Sequence, residues 1–247
     1  MSETATGLIF RKSWMMNRDA ANMGKRKMAE QEKRFPLRFM EYSVTYGERF
    51  RSLHRHGSVH LLGKRGIWYV YPYHKAGDML SLPQREAERI RSFWRFLDGE
   101  RKYYPFFYMV LLRALRQVLW ITKQLGDFEL VCIPKSDPDA KNPVAEVCSA
   151  IAGNEKFILA RAIDGSNLIS RKTKMMPVHK GGRYTLQEIK DSLSFTRPLI
   201  SDKVILVDDM VFTGKTIAAC RSLLKENGAK KVYAICLYGY KRGKTSK

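Results

Sequence analysis

Apolar and polar residues in the second half of the chain fall into blocks that are typical of alternating strands and helices. Four continuous apolar runs predict buried strands, at residues 128–133 (FELVCI), 156–163 (KFILARAI), 203–207 (KVILV) and 230–239 (KKVYAICLYG). Two segments between them have helical spacing and a terminal glycine, residues 144–153 and 215–228. This order predicts an α/β fold in which a parallel sheet is flanked by helices.

The pattern of the first half is less regular. Short apolar runs at residues 58–62 and 66–73 predict two strands. Apolar residues at helical spacing predict a helix over 82–97, with arginines covering its other face. A second helix is predicted from after Pro105 to about Leu125. Its apolar run is interrupted by arginines, so it predicts a buried or interface helix rather than a membrane span.

The N-terminal residues differ in composition from the rest of the chain. Residues 1–57 begin with forty residues that are basic, rich in methionine and poor in β-formers, without the pattern of a signal peptide. We interpret 1–57 as a basic N-terminal extension, either a loose arm or an exposed helix, and 58–247 as the α/β domain. Within that domain, residues 164–193 are rich in glycine and cations and lack a steady period, which is typical of a functional lid or a disordered segment.

The strongest candidate for chemistry is VILVDDMVFTGKT, residues 204–216. Ligands of open parallel sheets bind beyond the carboxyl ends of the strands, and Asp208 and Asp209 lie at such an end. The residues Met210–Gly214 then lead to a predicted helix start, where unpaired backbone N–H groups bind anions. The carboxylates can bind sugar hydroxyls or a metal ion, and the N–H groups can bind a phosphate. A phosphorylated sugar satisfies both halves of this segment.

A nucleotide-binding P-loop is the alternative for the TGKT at residues 213–216. That motif requires a glycine five residues before its Gly-Lys pair, and Asp209 occupies this position. Acidic residues also come directly before the loop, where a P-loop has none. The P-loop interpretation is therefore disfavoured.

A strand that ends in Asp-Asp, followed by three residues and Thr-Gly-x-Thr, resembles the phosphoribosyl diphosphate signature of type I phosphoribosyltransferases. The match comprises Asp208, Asp209, Thr213, Gly214 and Thr216. The resemblance implies that the two acids contact the ribose hydroxyls, with magnesium as a cofactor, and that the loop holds the 5′-phosphate. It implies a phosphoribosyl diphosphate or ribose 5-phosphate ligand.

Two residues of the loop depart from the family pattern. Phe212 stands where threonine or serine is common, and Lys215 stands where a small residue is usual. Phe212 removes one hydroxyl group but no backbone donor, and Lys215 adds a positive charge. Met210, Val211, Phe212 and Lys215 remain in the predicted ligand loop.

The resemblance also implies two further parts of the site. A loop after the first strand should bind diphosphate, and we assign this role to residues 134–142 (the diphosphate loop), with Lys135 and Ser136 as its contacts. A flexible hood should close over the ribose, and we assign it to residues 164–193 (the hood). Its cations Arg171, Lys172 and Lys174 could stabilise the departing diphosphate.

The ComF-like branch of this family, associated with DNA uptake, shows the same order of segments over about residues 67–240. The zinc ribbon common in that branch is missing, because no CxxC motif precedes Cys132. Residues 1–57 have no recognised counterpart.

Charge widens the range of expected partners. The chain has 45 Lys and Arg against 24 Asp and Glu, a net charge of +21, and residues 1–125 hold 24 of these cations and 11 of the acids. A small phosphorylated substrate needs only a few cations. The excess therefore predicts binding of DNA or RNA through the basic N-terminal half, or contact with an acidic protein, unless it serves only solubility.

The cysteines indicate the redox conditions of the compartment in which the protein is located. Four cysteines lie far apart in apolar surroundings, so reduced buried thiols and a cytoplasmic protein are expected; they are Cys132, Cys148, Cys220 and Cys236. The sequence is compatible with a monomer or an oligomer.

Three other clusters have ordinary structural interpretations. The histidines of HRHGSVH are expected to be solvent-exposed rather than metal ligands: His54, His56 and His60. Six residues could stack with single-stranded nucleic acid, but a strand packed on a helix gives the same pattern and is the favoured interpretation: Arg65, Trp68, Tyr69, Tyr71, Tyr73 and Lys75. The arginines of 85–102 could line a groove for a phosphate backbone.

Three function classes remain open on the sequence. The first is an enzyme that transfers a phosphoribosyl group with loss of diphosphate. The second is a non-catalytic accessory protein for nucleic-acid handling, in DNA uptake or phage defence, that uses the same fold to bind a nucleotide. The third is a toxic effector that consumes nucleotides. An intact ligand loop predicts ligand binding in all three.

Overall fold

The computed structural model describes residues 62–64, 66–73, 82–123, 126–154, 156–157, 160–177 and 181–240. All of them belong to one compact unit of the chain, Phe50–Lys247. The predictions for residues 1–57, for most of the first strand and for His54, His56, His60, Arg65 and Lys75 lie outside the described residues.

Nine strands and five helices occur in the described part of the chain. The strands are β1 Leu62–Lys64, β2 Ile67–Tyr73, β3 Phe128–Cys132, β4 Lys156–Phe157, β5 Ala160–Asp164, β6 Ile169–Arg171, β7 Leu193–Phe195, β8 Lys203–Val211 and β9 Lys231–Tyr240. The helices are α1 Gln84–Leu97, α2 Tyr104–Thr122, α3 Pro143–Asn154, α4 Leu186–Asp191 and α5 Lys215–Glu226, with a 3-10 turn at Arg101–Tyr103.

The main sheet confirms the predicted α/β class. Its strand order is β1-β2-β9-β8-β3-β5-β4. The five strands from β2 to β5 in this order pair in parallel, while β1 and β4 pair antiparallel at the two edges. The carboxyl ends of β2, β9, β8 and β3 therefore meet at one end of the sheet, which is where a ligand site is expected.

Helices cover both faces of this sheet. On one face α5 and α4 pack with the hood over a core cluster that includes Val204, Leu206 and Cys220. Because side chains alternate along a strand, Ile205 and Val207 point to the opposite face, where α3 contacts β3, β5 and β8. α1 and α2 pack beside α3, and α2 also contacts β9.

The apolar spacing of α1 and α2 explains their packing. α1 buries Ala87, Ile90, Phe93 and Phe96, which recur every three residues along one face. α2 buries ten of its nineteen residues and ends at Lys123, whose φ of 49° is left-handed. The ten buried residues confirm the prediction of α2 as a buried helix. Among the described helices, none is long and apolar enough to cross a membrane.

Three predicted elements differ in detail. The run 156–163 contains two strands and not one, because β4 pairs antiparallel with β5. The strand predicted at 203–207 continues through both aspartates to Val211. The hood carries the short hairpin strands β6 and β7 and the helix α4, which is held by a capping box between Thr185 and Glu188.

The hood is anchored to the domain by its few apolar residues. Leu168, Ile169, Ile189 and Leu193 all lie in the core cluster that packs against β8 and α5. Both ends of the hood are therefore fixed to the site. The four cysteines are buried and form no disulfide, as the sequence predicts.

Candidate functional site

The two aspartates lie at the carboxyl end of β8, in the middle of the sheet. Phe212, Thr213 and Gly214 join β8 to α5. Gly214 has a φ of 75°, a left-handed conformation that only glycine adopts without strain, and this turns the chain from strand to helix. The strand-to-helix turn predicted from the sequence is present.

The amino end of α5 presents polar groups to this turn. The N-cap residue of α5 is Gly214, which has no side chain to satisfy the N–H groups at the helix start, and such groups commonly bind anions. The Thr213 hydroxyl accepts a hydrogen bond from the Lys215 N–H at 3.4 Å, and Thr213 is exposed. Thr216 is partly exposed in the first turn. The Lys215 ammonium donates to the carbonyl of Tyr184 at 2.8 Å and so joins the hood to the start of the helix.

The carboxylates of Asp208 and Asp209 have different partners. Asp208 accepts a hydrogen bond from the Asp209 N–H at 2.9 Å, while Asp209 forms an ion pair with the Lys135 ammonium. Burial, followed by the negative charge of Asp209, raises the pKa of Asp208 well above its usual range, although Lys135 opposes this shift. A second cation close to Asp208 would oppose this rise in its pKa, as Lys135 does.

Lys135 brings the diphosphate loop to the aspartates. Burial lowers its pKa, but the Asp209 carboxylate outweighs burial and the net pKa is raised, so the side chain stays protonated. The Ser136 carbonyl accepts a hydrogen bond from the Met175 N–H at 2.8 Å, and Asp137 pairs with Lys174. The diphosphate loop and residues 171–175 of the hood are therefore bonded side by side.

Arg171 is the buried member of the predicted cations. Its Nε donates to the Lys135 carbonyl at 2.8 Å, and its Nη1 donates to the Ser192 hydroxyl at 2.6 Å. The side chain is 8% exposed, which leaves little of the guanidinium for a ligand. Lys172, by contrast, is exposed, and only its backbone N–H is used, at 2.7 Å from the Ser192 carbonyl.

Aromatic rings border the other side of the turn. The Phe212 ring meets Tyr73 edge-on, with centroids 5.7 Å apart, and Tyr73 meets Trp94 at 6.3 Å. Trp94 was not singled out by sequence reasoning, since its helical spacing indicated core packing. The other aromatic residues of β2 pack against the fold: Trp68 on Tyr233, Tyr69 on the core cluster and Tyr71 on Tyr238.

The structure thus brings Asp208, Asp209, Lys135 and Arg171 into one connected group. The residues from Met210 to Thr216 follow directly, although Met210 is buried and Val211 packs on the core cluster. Ser136 contributes a backbone contact to the hood, and Lys172 lies at the hood surface.

Residues 168–247 match the family model described as the phosphoribosyl transferase domain. This part of the chain is therefore similar to a phosphoribosyltransferase domain. The matched segment contains β8, the turn and α5, and therefore all of the Asp208–Thr216 sequence. Lys135 and Ser136 lie outside the matched residues.

Curated relatives of this domain are distant. Uracil phosphoribosyltransferase from Clostridium perfringens is 26% identical over 119 residues, which cover 45% of this chain and 57% of the relative. The protein of the same name from Desulfitobacterium hafniense is 25% identical over 118 residues, covering 44% and 56%. The chain thus spans little more than half the length of the curated relatives it matches.

A solved structure, a purine phosphoribosyltransferase from Pyrococcus horikoshii OT3, aligns with 53% of this chain and 79% of that chain. The sequence identity is 20% and the TM-score is 0.25. The architecture of the domain is therefore argued from its own strand order and not from this alignment.

The oxygen ligands at the end of β8 suit a magnesium ion that binds together with a phosphorylated ligand. No group of three or more His, Cys, Asp or Glu side chains among the described residues could hold a metal on its own. Magnesium, however, is commonly bound by one or two carboxylates together with substrate phosphates and water. The Lys135 ammonium provides a positive charge at Asp209, and Asp208, whose pKa is raised mainly by burial, is the neighbouring carboxyl that the ion could also bind.

Magnesium binding should depend on pH through Asp208. Since the pKa of Asp208 is raised, a metal that needs the carboxylate must displace a proton while the pH is below that pKa. We expect the affinity for magnesium phosphoribosyl diphosphate to rise with pH in that range and to level off above it. Calorimetry in buffers of different ionisation enthalpy counts the protons released.

The Asp208→Asn variant provides the control for this prediction. It retains the titration of the ligand phosphates but lacks the carboxyl group, so fewer protons should be released on saturation. Equal proton release from both proteins would contradict the assignment to Asp208.

Proposed function

We propose that the protein binds phosphoribosyl diphosphate, or another ribose 5-phosphate, at residues 208–216 and transfers the phosphoribosyl group with loss of diphosphate. The observation that carries this proposal is that paired carboxylates are followed directly by a left-handed glycine at the N-cap of a helix, all within the matched residues. Carboxylates suit the ribose hydroxyls and a magnesium ion, and the N–H groups of α5 suit the 5′-phosphate.

Each end of the ligand has its own partners in this proposal. Thr213, Gly214, Lys215 and Thr216 surround the 5′-phosphate, and the carboxylates of Asp208 and Asp209 face the ribose. Magnesium, held by the two carboxylates and the ligand, would neutralise charge on the diphosphate. Phe212 supplies a backbone N–H but no hydroxyl group.

We assign the diphosphate to the side of β8 that faces β3, next to the diphosphate loop. Lys135 is the charged side chain that can exchange Asp209 for a diphosphate oxygen. Ser136 adds a hydroxyl group, and Lys172 and Lys174 are exposed cations of the hood. The buried bonding of Arg171 favours a positioning role, in which it holds the Lys135 backbone in place.

The transfer itself needs no protein nucleophile. The C1–O bond of the ribose breaks and its electron pair leaves with diphosphate, while an acceptor atom gives its lone pair to C1 and releases a proton to water. The ribose carries positive charge in the transition state. Catalysis therefore comes from placing the reactants and from cations around the diphosphate.

Two measurements test the proposal. Calorimetric titration with phosphoribosyl diphosphate and magnesium chloride should give saturable binding that needs the metal. Diphosphate release should then be followed with free bases, including uracil and hypoxanthine. Binding of phosphoribosyl diphosphate without release of diphosphate would favour the non-catalytic accessory function. A failure to bind either phosphoribosyl diphosphate or ribose 5-phosphate would exclude the assignment of the site.

A second candidate property, nucleic-acid binding, is favoured by the outer face of α2. Met109, Arg113, Arg116 and Trp120 are all exposed, and at 100° per residue they fall within an arc of about 60°. No acidic residue occurs in α2. Arginine side chains can bind a phosphate backbone, and an exposed aromatic ring can stack on unpaired bases. Nucleic-acid binding would also agree with the resemblance to the ComF-like branch, which is associated with DNA uptake.

Binding to an oligonucleotide should therefore depend on this face and on salt. We expect affinity for single-stranded DNA or RNA to fall at least tenfold between low and high salt, and to fall again when Arg113 and Arg116 are both changed to alanine. Deleting residues 1–40 should also weaken it, because that segment holds part of the basic excess. Fluorescence anisotropy measures each affinity.

The double variant Lys225→Ala, Lys230→Ala removes the same charge from α5 and the turn after it, where both lysines are exposed. It should bind nearly as tightly as the unmodified protein. Equal losses of oligonucleotide affinity in the two double variants would mean that only the net charge of the protein matters. If the unmodified protein binds no oligonucleotide at low salt, contact with an acidic protein becomes the favoured role of the basic surface.

The remaining assignments are also proposals. We assign residues 1–57 to an extension, 58–247 to the phosphoribosyltransferase-like domain and 164–193 to a hood that closes on the ligand. A cytoplasmic location is supported by the four buried free thiols.

A further inference from the structure

The side chain of Asn142 closes the two ends of the diphosphate loop on each other. The loop starts after Ile133 and ends at Asn142, directly before α3. The Asn142 Nδ2 donates to the Ile133 carbonyl at 3.2 Å and lies 3.4 Å from the Cys132 sulfur. Ile133 is itself held to β8, because its N–H donates to the Val207 carbonyl at 2.8 Å. Asn142 therefore joins the last residue of the loop to the strand end from which the loop starts.

The other half of the Asn142 side chain forms the start of α3. Its Oδ1 accepts a hydrogen bond from the Ala145 N–H at 3.4 Å, and its backbone carbonyl accepts one from the Glu146 N–H at 3.3 Å. These are the bonds of a helix N-cap residue. Pro143 follows, and proline suits the first helical position because it has no N–H to satisfy and a fixed φ. The helix start thus fixes the position of Asn142.

The residue type at position 142 exceeds what a helix cap requires. Serine and aspartate cap helices about as well as asparagine does. An ionised aspartate has no hydrogen to donate, and the serine hydroxyl lies closer to its own backbone than the amide of asparagine. The asparagine side chain carries one acceptor oxygen and two N–H donors. It can therefore cap α3 and bond across the ends of the loop at the same time.

The second half of the diphosphate loop has no other anchor. In the first half, the carbonyls of Lys135 and Ser136 accept hydrogen bonds from the hood, and Asp137 pairs with Lys174. Within the part of the chain that the structure describes, no hydrogen bond or ion pair joins residues 138–141 to another segment. The position of this half therefore depends on the bonds of Asn142.

A closed loop favours binding of the diphosphate. Each conformation that an open loop can adopt must be given up when Lys135 and Ser136 bind one ligand together, which costs conformational entropy. A loop that is already closed in the free protein avoids part of this cost. We propose that Asn142 is a positioning residue, whose Nδ2 holds the diphosphate loop in its binding conformation. This inference rests on the proposed function, since it concerns the diphosphate end of the same site.

Two substitutions separate the helix cap from the closure of the loop. Asn142→Ser keeps a cap oxygen but is too short to donate to the Ile133 carbonyl, whereas Asn142→Ala loses both bonds. Asn142→Ala should therefore lower the urea midpoint of unfolding more than Asn142→Ser does. In calorimetry, Asn142→Ser should weaken the binding of magnesium phosphoribosyl diphosphate and of inorganic diphosphate by about tenfold. Its affinity for ribose 5-phosphate should not change.

Asn154→Ser is the matched control, because Asn154 lies at the other end of α3 and its Nδ2 donates to the Ala150 carbonyl at 2.9 Å. It should leave all three ligand affinities unchanged. The inference is overturned if Asn142→Ser binds diphosphate as tightly as the unmodified protein does, or if it weakens diphosphate and ribose 5-phosphate equally. If the unmodified protein binds neither phosphoribosyl diphosphate nor ribose 5-phosphate, the proposed function fails and this inference fails with it.

Discussion

Replacing Asp208 and Asp209 together with asparagine should lower the affinity for magnesium phosphoribosyl diphosphate by at least about 100-fold, equivalent to about 2.7 kcal/mol. Asparagine keeps the shape of each side chain but removes both negative charges, and with them the oxygen ligands that magnesium prefers. It also removes the partner of Lys135. Titration calorimetry at constant magnesium measures the loss.

The same double variant should fold normally. The raised pKa of Asp208 means that its charged form is disfavoured in the native state, so losing that carboxyl group costs no stability. The Lys135–Asp209 pair is partly exposed on both sides, and such pairs contribute about 1 kcal/mol or less. We expect the free energy of unfolding to change by no more than about 1 kcal/mol.

A double variant at Asp127 and Asp202, each changed to asparagine, controls for charge. These acids form exposed ion pairs with Arg161 and Lys230, away from the carboxyl end of β8. Their loss should leave ligand affinity unchanged. Unaltered affinity in the Asp208, Asp209 variant would refute the ligand assignment, and a large loss in the control would show that long-range charge dominates.

Changing Arg171 to methionine is expected to affect stability and ligand binding together. Methionine has a similar length but cannot donate to the Lys135 carbonyl or the Ser192 hydroxyl. An unsatisfied buried polar group costs about 1–3 kcal/mol, so the free energy of unfolding should fall by about 2–4 kcal/mol. Chemical denaturation followed by circular dichroism measures this change.

Ligand affinity distinguishes the two roles of Arg171. If Arg171 holds the diphosphate loop, affinity for phosphoribosyl diphosphate should fall at least tenfold, and affinity for ribose 5-phosphate should hardly change. The exposed Arg161→Met variant should alter stability by about 1 kcal/mol or less. Unchanged stability in Arg171→Met combined with lost diphosphate affinity would contradict positioning and support direct contact with the ligand.

The core of the site could be predicted from local sequence. An apolar run fixes β8, and Gly214 with the hydroxyl residues around it indicates a helix start. Because strand, turn and helix lie within a few residues of each other, the position of the aspartates followed without knowledge of distant contacts. The parallel sheet followed from the same alternation.

Contacts between distant residues could not be predicted in this way. Tyr73 meets Phe212 only because β2 lies beside β9, which in turn lies beside β8. Arg171 was recognised as a cation, but its buried side chain bonds to Lys135 and Ser192, which lie 36 and 21 residues away along the chain. The break after Phe157 was missed because residues 156–163 contain no glycine or proline to mark a turn.

The Lys135 ammonium and the Asp209 carboxylate neutralise each other through their ion pair when no ligand is present. In the proposed complex, magnesium would compete with Lys135 for Asp209, and diphosphate would compete with Asp209 for Lys135. Either ligand would therefore release the group that the other one binds, which couples the two binding events positively. By reciprocity, magnesium would strengthen diphosphate binding by the same factor as diphosphate would strengthen magnesium binding. The ion pair would thereby favour the metal complex of the substrate over either component alone.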